Sequence, residues 1–169
     1  IVFPVKPTSS GLQPMNSVYH LWSEQARKTP DAPALIDDER SEWVTHGELA
    51  AMADAFAARI SAAGVKPLVF LAAESRVEAV AAWLGAWKAG ALVALVNPAL
   101  AAGQLRPVVE AYRPGMLIGP KGWGGGFGLA RGDAERIWTL DPPQPGEIHQ
   151  ELGLLLFTSG TTGSPKAVR

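Results

Sequence analysis

Three observations predict an α/β fold in which a largely parallel sheet is flanked by helices. Two runs, Leu68-Val-Phe-Leu-Ala-Ala73 and Ala91-Leu-Val-Ala-Leu-Val96, are apolar at every position, as strands covered on both faces require. Between them lies a helical pattern that ends at Gly90, so the unit reads strand, helix, strand, with a parallel crossover. A third apolar run, Leu154-Leu-Leu-Phe157, opens into a loop of glycines and hydroxyl residues.

The elements follow in order. Ser17 is placed to cap a helix carrying Val18, Leu21 and Trp22 on neighbouring turns, which ends before Thr29-Pro30. Ala34 to Asp37 and Glu42 to Val44 read as two strands around a polar turn, with Asp37, Asp38 and Glu39 forming a solvated tip. Thr45-His-Gly-Glu48 has the form of a capping box that starts a helix through Leu49, Ala53, Phe56 and Ile60, with Gly64 at its end. Ser75-Arg-Val-Glu78 repeats the box before the crossover helix. Gln104 to Tyr112 is a shorter helix if Pro107 falls in its first turn. Gly115 to Gly119 and Arg136 to Leu140 read as short strands, Gly122 to Gly128 as a glycine loop, and the proline-rich stretch Asp141 to Glu151 as a connector.

At 169 residues the chain fits one domain with a sizeable core. A formal charge of -1 gives no basis for nucleic-acid or anionic-membrane binding. With no cysteine, neither disulfides nor thiolate chemistry is available, which suits a reducing compartment and, with no secretory pattern at the start, a cytoplasmic location. Glu78, Lys88, Asn97 and Pro98 break the apolar region from Ala79 to Gly103 into lengths too short to span a membrane. Met15 precedes the first helix, so residues 1–14 are expected to be a disordered or non-native tail and residues 15–169 the domain proper.

His20, His46 and His149 show no spacing for a metal site or an acid-base pair. Trp83 and Trp87 stand four apart on an apolar helix, which predicts core packing.

The chemistry concentrates at Thr158-Ser-Gly-Thr-Thr-Gly-Ser-Pro-Lys166. Small residues let backbone N–H groups approach phosphate oxygens, hydroxyls add donors, no carboxylate stands nearby, and Lys166 supplies one positive charge. The competing reading is a solvated Ser/Gly turn. Gly160 and Gly163 are too close together for a Walker loop, and Pro165 precedes the lysine.

This nine-residue pattern resembles the phosphate-loop signature of the AMP-binding, adenylate-forming superfamily, which includes acyl-CoA synthetases, luciferases and peptide-synthetase adenylation domains. Pro30 to Ile36, Thr45 to Leu49 and Ala86 to Pro98 are similar to earlier blocks of the same family, in its order. The resemblance implies the first part of the large N-terminal domain of such an enzyme. It implies ATP-dependent activation of a carboxylic acid to an acyl-adenylate, followed by transfer to a thiol, with ATP, Mg²⁺ and CoA as cofactors. By the same resemblance Thr158, Ser159, Gly160, Thr161, Thr162, Gly163 and Lys166 serve the phosphates: Thr161 and Thr162 are candidates for a hydroxyl near Mg²⁺, and Lys166 is the catalytic candidate.

Asn97-Pro98 is more similar to acyl-CoA synthetases, because peptide-synthetase domains more often carry aspartate there. The alternatives are an adenylation domain that loads a carrier thiol and a non-catalytic nucleotide-binding relative. Ala167 stands where the family usually has glycine, which would matter if the position needed positive φ. The family's adenine, ribose and Mg²⁺ segments, its acyl pocket and its mobile C-terminal domain would follow Arg169, so these residues alone are not expected to complete catalysis.

Overall fold

The computed structural model describes residues 16–38, 41–60, 66–100, 102–123, 130–133, 137–140, 148–158 and 166–168. The expected tail 1–14 lies outside them. The chain runs α1 (Asn16–Lys28), β1 (Pro33–Asp37), β2 (Glu42–Thr45), α2 (His46–Arg59), β3 (Leu68–Ala72), α3 (Val77–Lys88), β4 (Leu92–Val96), α4 (Ala102–Tyr112), β5 (Met116–Ile118), β6 (Ala130–Asp133), β7 (Ile137–Leu140), β8 (Leu154–Thr158) and β9 (Lys166–Val168).

The main sheet has the order β6-β7-β5-β3-β4-β8-β9, and β1 and β2 form a separate hairpin. Its centre is parallel: β3 pairs with β4 and β5, and β4 pairs with β8. Antiparallel strands close both sides, β7 and β6 beyond β5 and β9 beyond β8. The α/β reading therefore holds, with an antiparallel border that the apolar pattern does not reveal.

Alternation along the central strands builds the two faces of the core. Phe70, Leu92, Ala94 and Val96 join Leu105, Val108 and Val109 of α4 on one face. Val69, Leu71 and Val93 join Ala82 and Ala86 of α3 on the other. Every residue of β3 is buried, which is why no polar position interrupts it. Outside α3, Leu49 and Ala53 of α2 form a second layer with Ala81 and Leu84.

The capping box at Thr45 is formed. Glu48 N–H donates to Thr45 Oγ1 at 3.2 Å, and Thr45 N–H donates to Glu48 Oε2 at 2.9 Å. The Thr45 backbone bond first, and its hydroxyl second, hold the Glu48 carboxyl below the ordinary carboxylate range. The folded value is the depressed one, so this contribution is present above the unfolded carboxylate pKa and is lost as pH falls through the folded value. Thr45→Ala is expected to lower stability by about 1 kcal/mol in thermal melts at neutral pH, with the deficit shrinking under acid.

Several boundaries differ from the sequence reading. α1 begins at Asn16, so Ser17 lies inside its first turn and is not the cap. α2 ends at Arg59, where the N–H of Ile60 bonds the carbonyls of Phe56 and Ala57, and Gly64 lies outside the described residues. The second capping box does not form: Arg76 is the N-cap residue with no side-chain cap bond, and Glu78 instead meets Arg76 Nε at 3.4 Å. Pro107 sits inside α4 beyond its first turn. The missing N–H leaves the Gly103 carbonyl without its helical donor, but Gly103 is exposed, so water can take that place.

The crossover reading of Ala79 to Gly103 holds: α3 ends at Lys88, Gly90, whose φ of 73° suits glycine, turns the chain, and β4 follows. Among the described residues no helix is long and apolar enough to cross a membrane. Trp83 and Trp87 pack edge to face, their centroids 5.1 Å apart, against the α3 side of the core. At the hairpin, by contrast, the register partners Ile36 and Trp43 are both exposed.

Candidate functional site

The candidate site is rooted in β8. Its Leu155 and Phe157 face the α4 side of the core, where Phe157 stands 5.6 Å from Phe70 and 5.5 Å from Tyr112, edge to face with both. Each such contact adds about 0.5–1.5 kcal/mol beyond simple burial, so the residue before Thr158 is firmly seated.

The chain then turns back. Thr158 and Lys166 are register partners at the first rung between β8 and β9, followed by Phe157 with Ala167 and Leu156 with Val168. The glycine and hydroxyl segment 159–165 therefore leaves and returns at one rung, with Lys166 level with Thr158. Ser159, Gly160, Thr161, Thr162 and Gly163 lie outside the described residues. Ala167 stands in extended strand and is not among the residues with positive φ, so this backbone makes no demand for glycine there.

Sheet topology gives that rung a special position. From the carboxyl end of β4 the chain passes through α4 to β5, on the far side of β3. From the carboxyl end of the adjacent β8 it turns the other way, to β9. Neighbouring parallel strands whose exits diverge leave a crevice at their carboxyl ends, where open α/β sheets take their ligands. The β4–β8 register ends with Leu95 opposite Leu156, and Asn97 and Thr158 each follow two residues later in their own chains.

Asn97 has a local task at this edge. Its Oδ1 accepts from the Ala99 N–H at 2.9 Å and its carbonyl accepts from the Leu100 N–H at 3.2 Å, forming an Asx turn out of β4. An aspartate oxygen could accept the same bond. The choice of asparagine therefore says little about which thiol a neighbouring site serves.

The histidines sit on separate elements. His20 lies 3.7 Å from Glu24 on α1, His46 opens α2, and His149 Nδ1 accepts from the Glu151 N–H at 3.3 Å. Among the described residues no group of three or more His, Asp or Glu could hold a metal ion. The donors of segment 158–166 are hydroxyls, backbone N–H groups and one ammonium, a set that suits phosphate oxygens and would accept Mg²⁺ together with them.

Two contributors at the root of β8 escape local sequence reading. Trp87 Nε1 donates to the Gly153 carbonyl at 3.2 Å. Lys66 Nζ donates to the carbonyls of His149 and Gln150 at 3.3 and 2.5 Å. Both contacts cross more than sixty residues of chain, which no short motif encodes.

A profile described as AMP-binding enzyme matches residues 22–169. Phosphinothricin tripeptide synthetase PhsB of Streptomyces viridochromogenes is 31% identical over 167 residues, which take in 90% of this chain and 14% of that protein. Malpinin synthetase of Mortierella alpina is 30% identical over 162 residues, 89% of this chain and 2% of that protein. The crystal structure of VinN superposes with a TM-score of 0.68 at 23% identity, covering 89% of this chain and 42% of VinN. A Mycobacterium tuberculosis fatty acyl CoA synthetase gives 0.65 at 21% identity, over 93% of this chain and 35% of that one. Structural matches at identities this low speak to the fold alone. The chain thus spans a small part of the curated relatives and less than half of these solved chains. With the profile covering all but the first 21 residues and the fold in agreement, the chain belongs to the AMP-binding enzyme family.

Proposed function

We propose that the whole protein is a ligase that activates a carboxylic acid with ATP. A carboxylate oxygen attacks the α-phosphorus, the bond to pyrophosphate breaks, and the resulting acyl-adenylate gives its acyl group to a thiol with release of AMP. The observation that carries this reading is the Thr158–Lys166 rung, which brackets a small-residue, carboxylate-free segment at the divergent edge of a parallel sheet.

In this role the backbone N–H groups and hydroxyls of Thr158, Ser159, Gly160, Thr161 and Thr162 hold the β and γ phosphates. Gly163 and Pro165 shape the turn. The Lys166 ammonium offsets negative charge that builds on departing pyrophosphate, which is electrostatic assistance without a protein nucleophile. Mg²⁺, when bound with ATP, would neutralise further phosphate charge, and Thr161 and Thr162 are the residues to hold it. Dependence on ATP suits a cytoplasmic setting.

Two acceptors are open. CoA rests on the likeness of Asn97-Pro98 to acyl-CoA synthetases, which the Asx turn weakens, and a thiol on a carrier protein rests on the tripeptide synthetase among the relatives. The bond at Asn97 is local to the turn, and the synthetases among the relatives give the carrier reading at least equal weight. Acid-dependent exchange of labelled pyrophosphate into ATP by the whole protein is the test. Exchange stimulated by one class of carboxylic acid is expected, whereas none across acyl and amino acids would remove the proposal. Supplying the same preparation with CoA and with a carrier-bound thiol then separates the acceptors.

A further inference from the structure

We infer that Trp87 and Lys66 are positioning residues that clamp the root of β8 and so set where the loop ends, Thr158 and Lys166, are presented. The inference rests on the phosphate-holding reading of that loop.

β8 needs an anchor. Its ladder to β4 has three paired positions, its outer neighbour β9 has three residues, and Leu156 is 46% exposed on the face that α3 leaves partly open. Packing on one face, through Leu155 and Phe157, fixes its depth but offers no polar constraint along its axis. Those constraints are found at its start. The buried Gly153 carbonyl accepts twice, from Val93 N–H of β4 at 3.0 Å and from the Trp87 indole at 3.2 Å. The indole is itself held edge to face by Trp83.

One turn earlier, Lys66 fixes the carbonyls of His149 and Gln150, while the Leu152 N–H closes the turn onto His149. Burial pushes the Lys66 ammonium below the ordinary lysine range, so it relies on those two carbonyls to replace lost water. Both donors come from outside β8, from α3 and from the lead into β3. A one-residue slip of β8 would exchange the faces of Leu155 and Leu156, and the clamp opposes that slip at its origin.

The test uses Trp87→Phe, Lys66→Met and Lys66→Arg in the whole protein. Loss of one hydrogen bond should speed amide exchange at 154–158 and 166–168 by about fivefold, leaving β3 and β4 unchanged. The KM for MgATP should rise with that for the acid unaltered, and Lys66→Arg, which still donates to carbonyls, should restore both readouts. Exchange that rises equally through β3, or a fall in kcat with neither KM changed, would reduce both residues to general core support and overturn the inference. Exchange unchanged at β8 would overturn it too. If the wild type showed no pyrophosphate exchange, the ATP reading would fall instead, and the amide pattern would still judge the clamp.

Discussion

Replacing Lys166 with alanine in the whole protein is expected to lower acid-dependent pyrophosphate exchange by about 10² to 10³-fold, the loss typical of one preorganised donor to developing negative charge. The rung that pairs Lys166 with Thr158 places the lysine on a paired strand and not within the loop itself. Its charge acts on bound ATP as well as on departing pyrophosphate, so the loss is expected in the KM for MgATP as well as in turnover. Lys166→Arg should recover only part of the rate, because a planar fork does not reproduce a compact ammonium. An unchanged rate in the alanine variant would take Lys166 out of the mechanism while leaving the fold untouched.

The second large effect concerns Gly85, in the middle of α3. A Cβ there would stand 2.5 Å from the Ala53 carbonyl oxygen, 2.7 Å from Phe56 Cβ and 3.0 Å from Ala57 N. Two of these neighbours are backbone atoms of α2 and cannot yield unless the helix moves. Helix propensity alone favours alanine over glycine by about 1 kcal/mol. Overpacking costs about 1–3 kcal/mol, and against rigid backbone the upper part of that range applies. Gly85→Ala is therefore expected to lower the melting temperature by several degrees, and Gly85→Leu by more. Because Trp87 lies on the same helix, the shift should also loosen the bond to Gly153. A melting temperature equal to or above the wild type for Gly85→Ala would show that α2 and α3 can part at no cost.

Sequence and structure agree where one level of physics decides. β3 and β4 are readable because burial on both faces leaves no polar position, and the Thr45 box because all its partners lie within four residues. The Ser75 box fails although its letters match, since Glu78 has a nearer partner in Arg76. β6 carries Ala130-Arg-Gly-Asp133, which has no strand pattern, and becomes a strand through pairing with β7. β9 is equally hidden: three residues after a proline read as the end of a loop until β8 pairs with them.

The site divides in the same way. The small residues and lone lysine of 158–166 disclose their chemistry in one dimension. Their place between diverging strand exits depends on the strand order, and the Lys66 and Trp87 contacts depend on distant chain meeting in space.

Titration of the whole protein with ATP, with and without Mg²⁺ and in parallel on Lys166→Ala, bears most directly on the claim that this hairpin loop holds a nucleotide's phosphates. The expected result is magnesium-dependent binding that weakens when the ammonium is removed. No affinity for ATP in a folded wild-type sample, or equal affinity in both proteins, would contradict it.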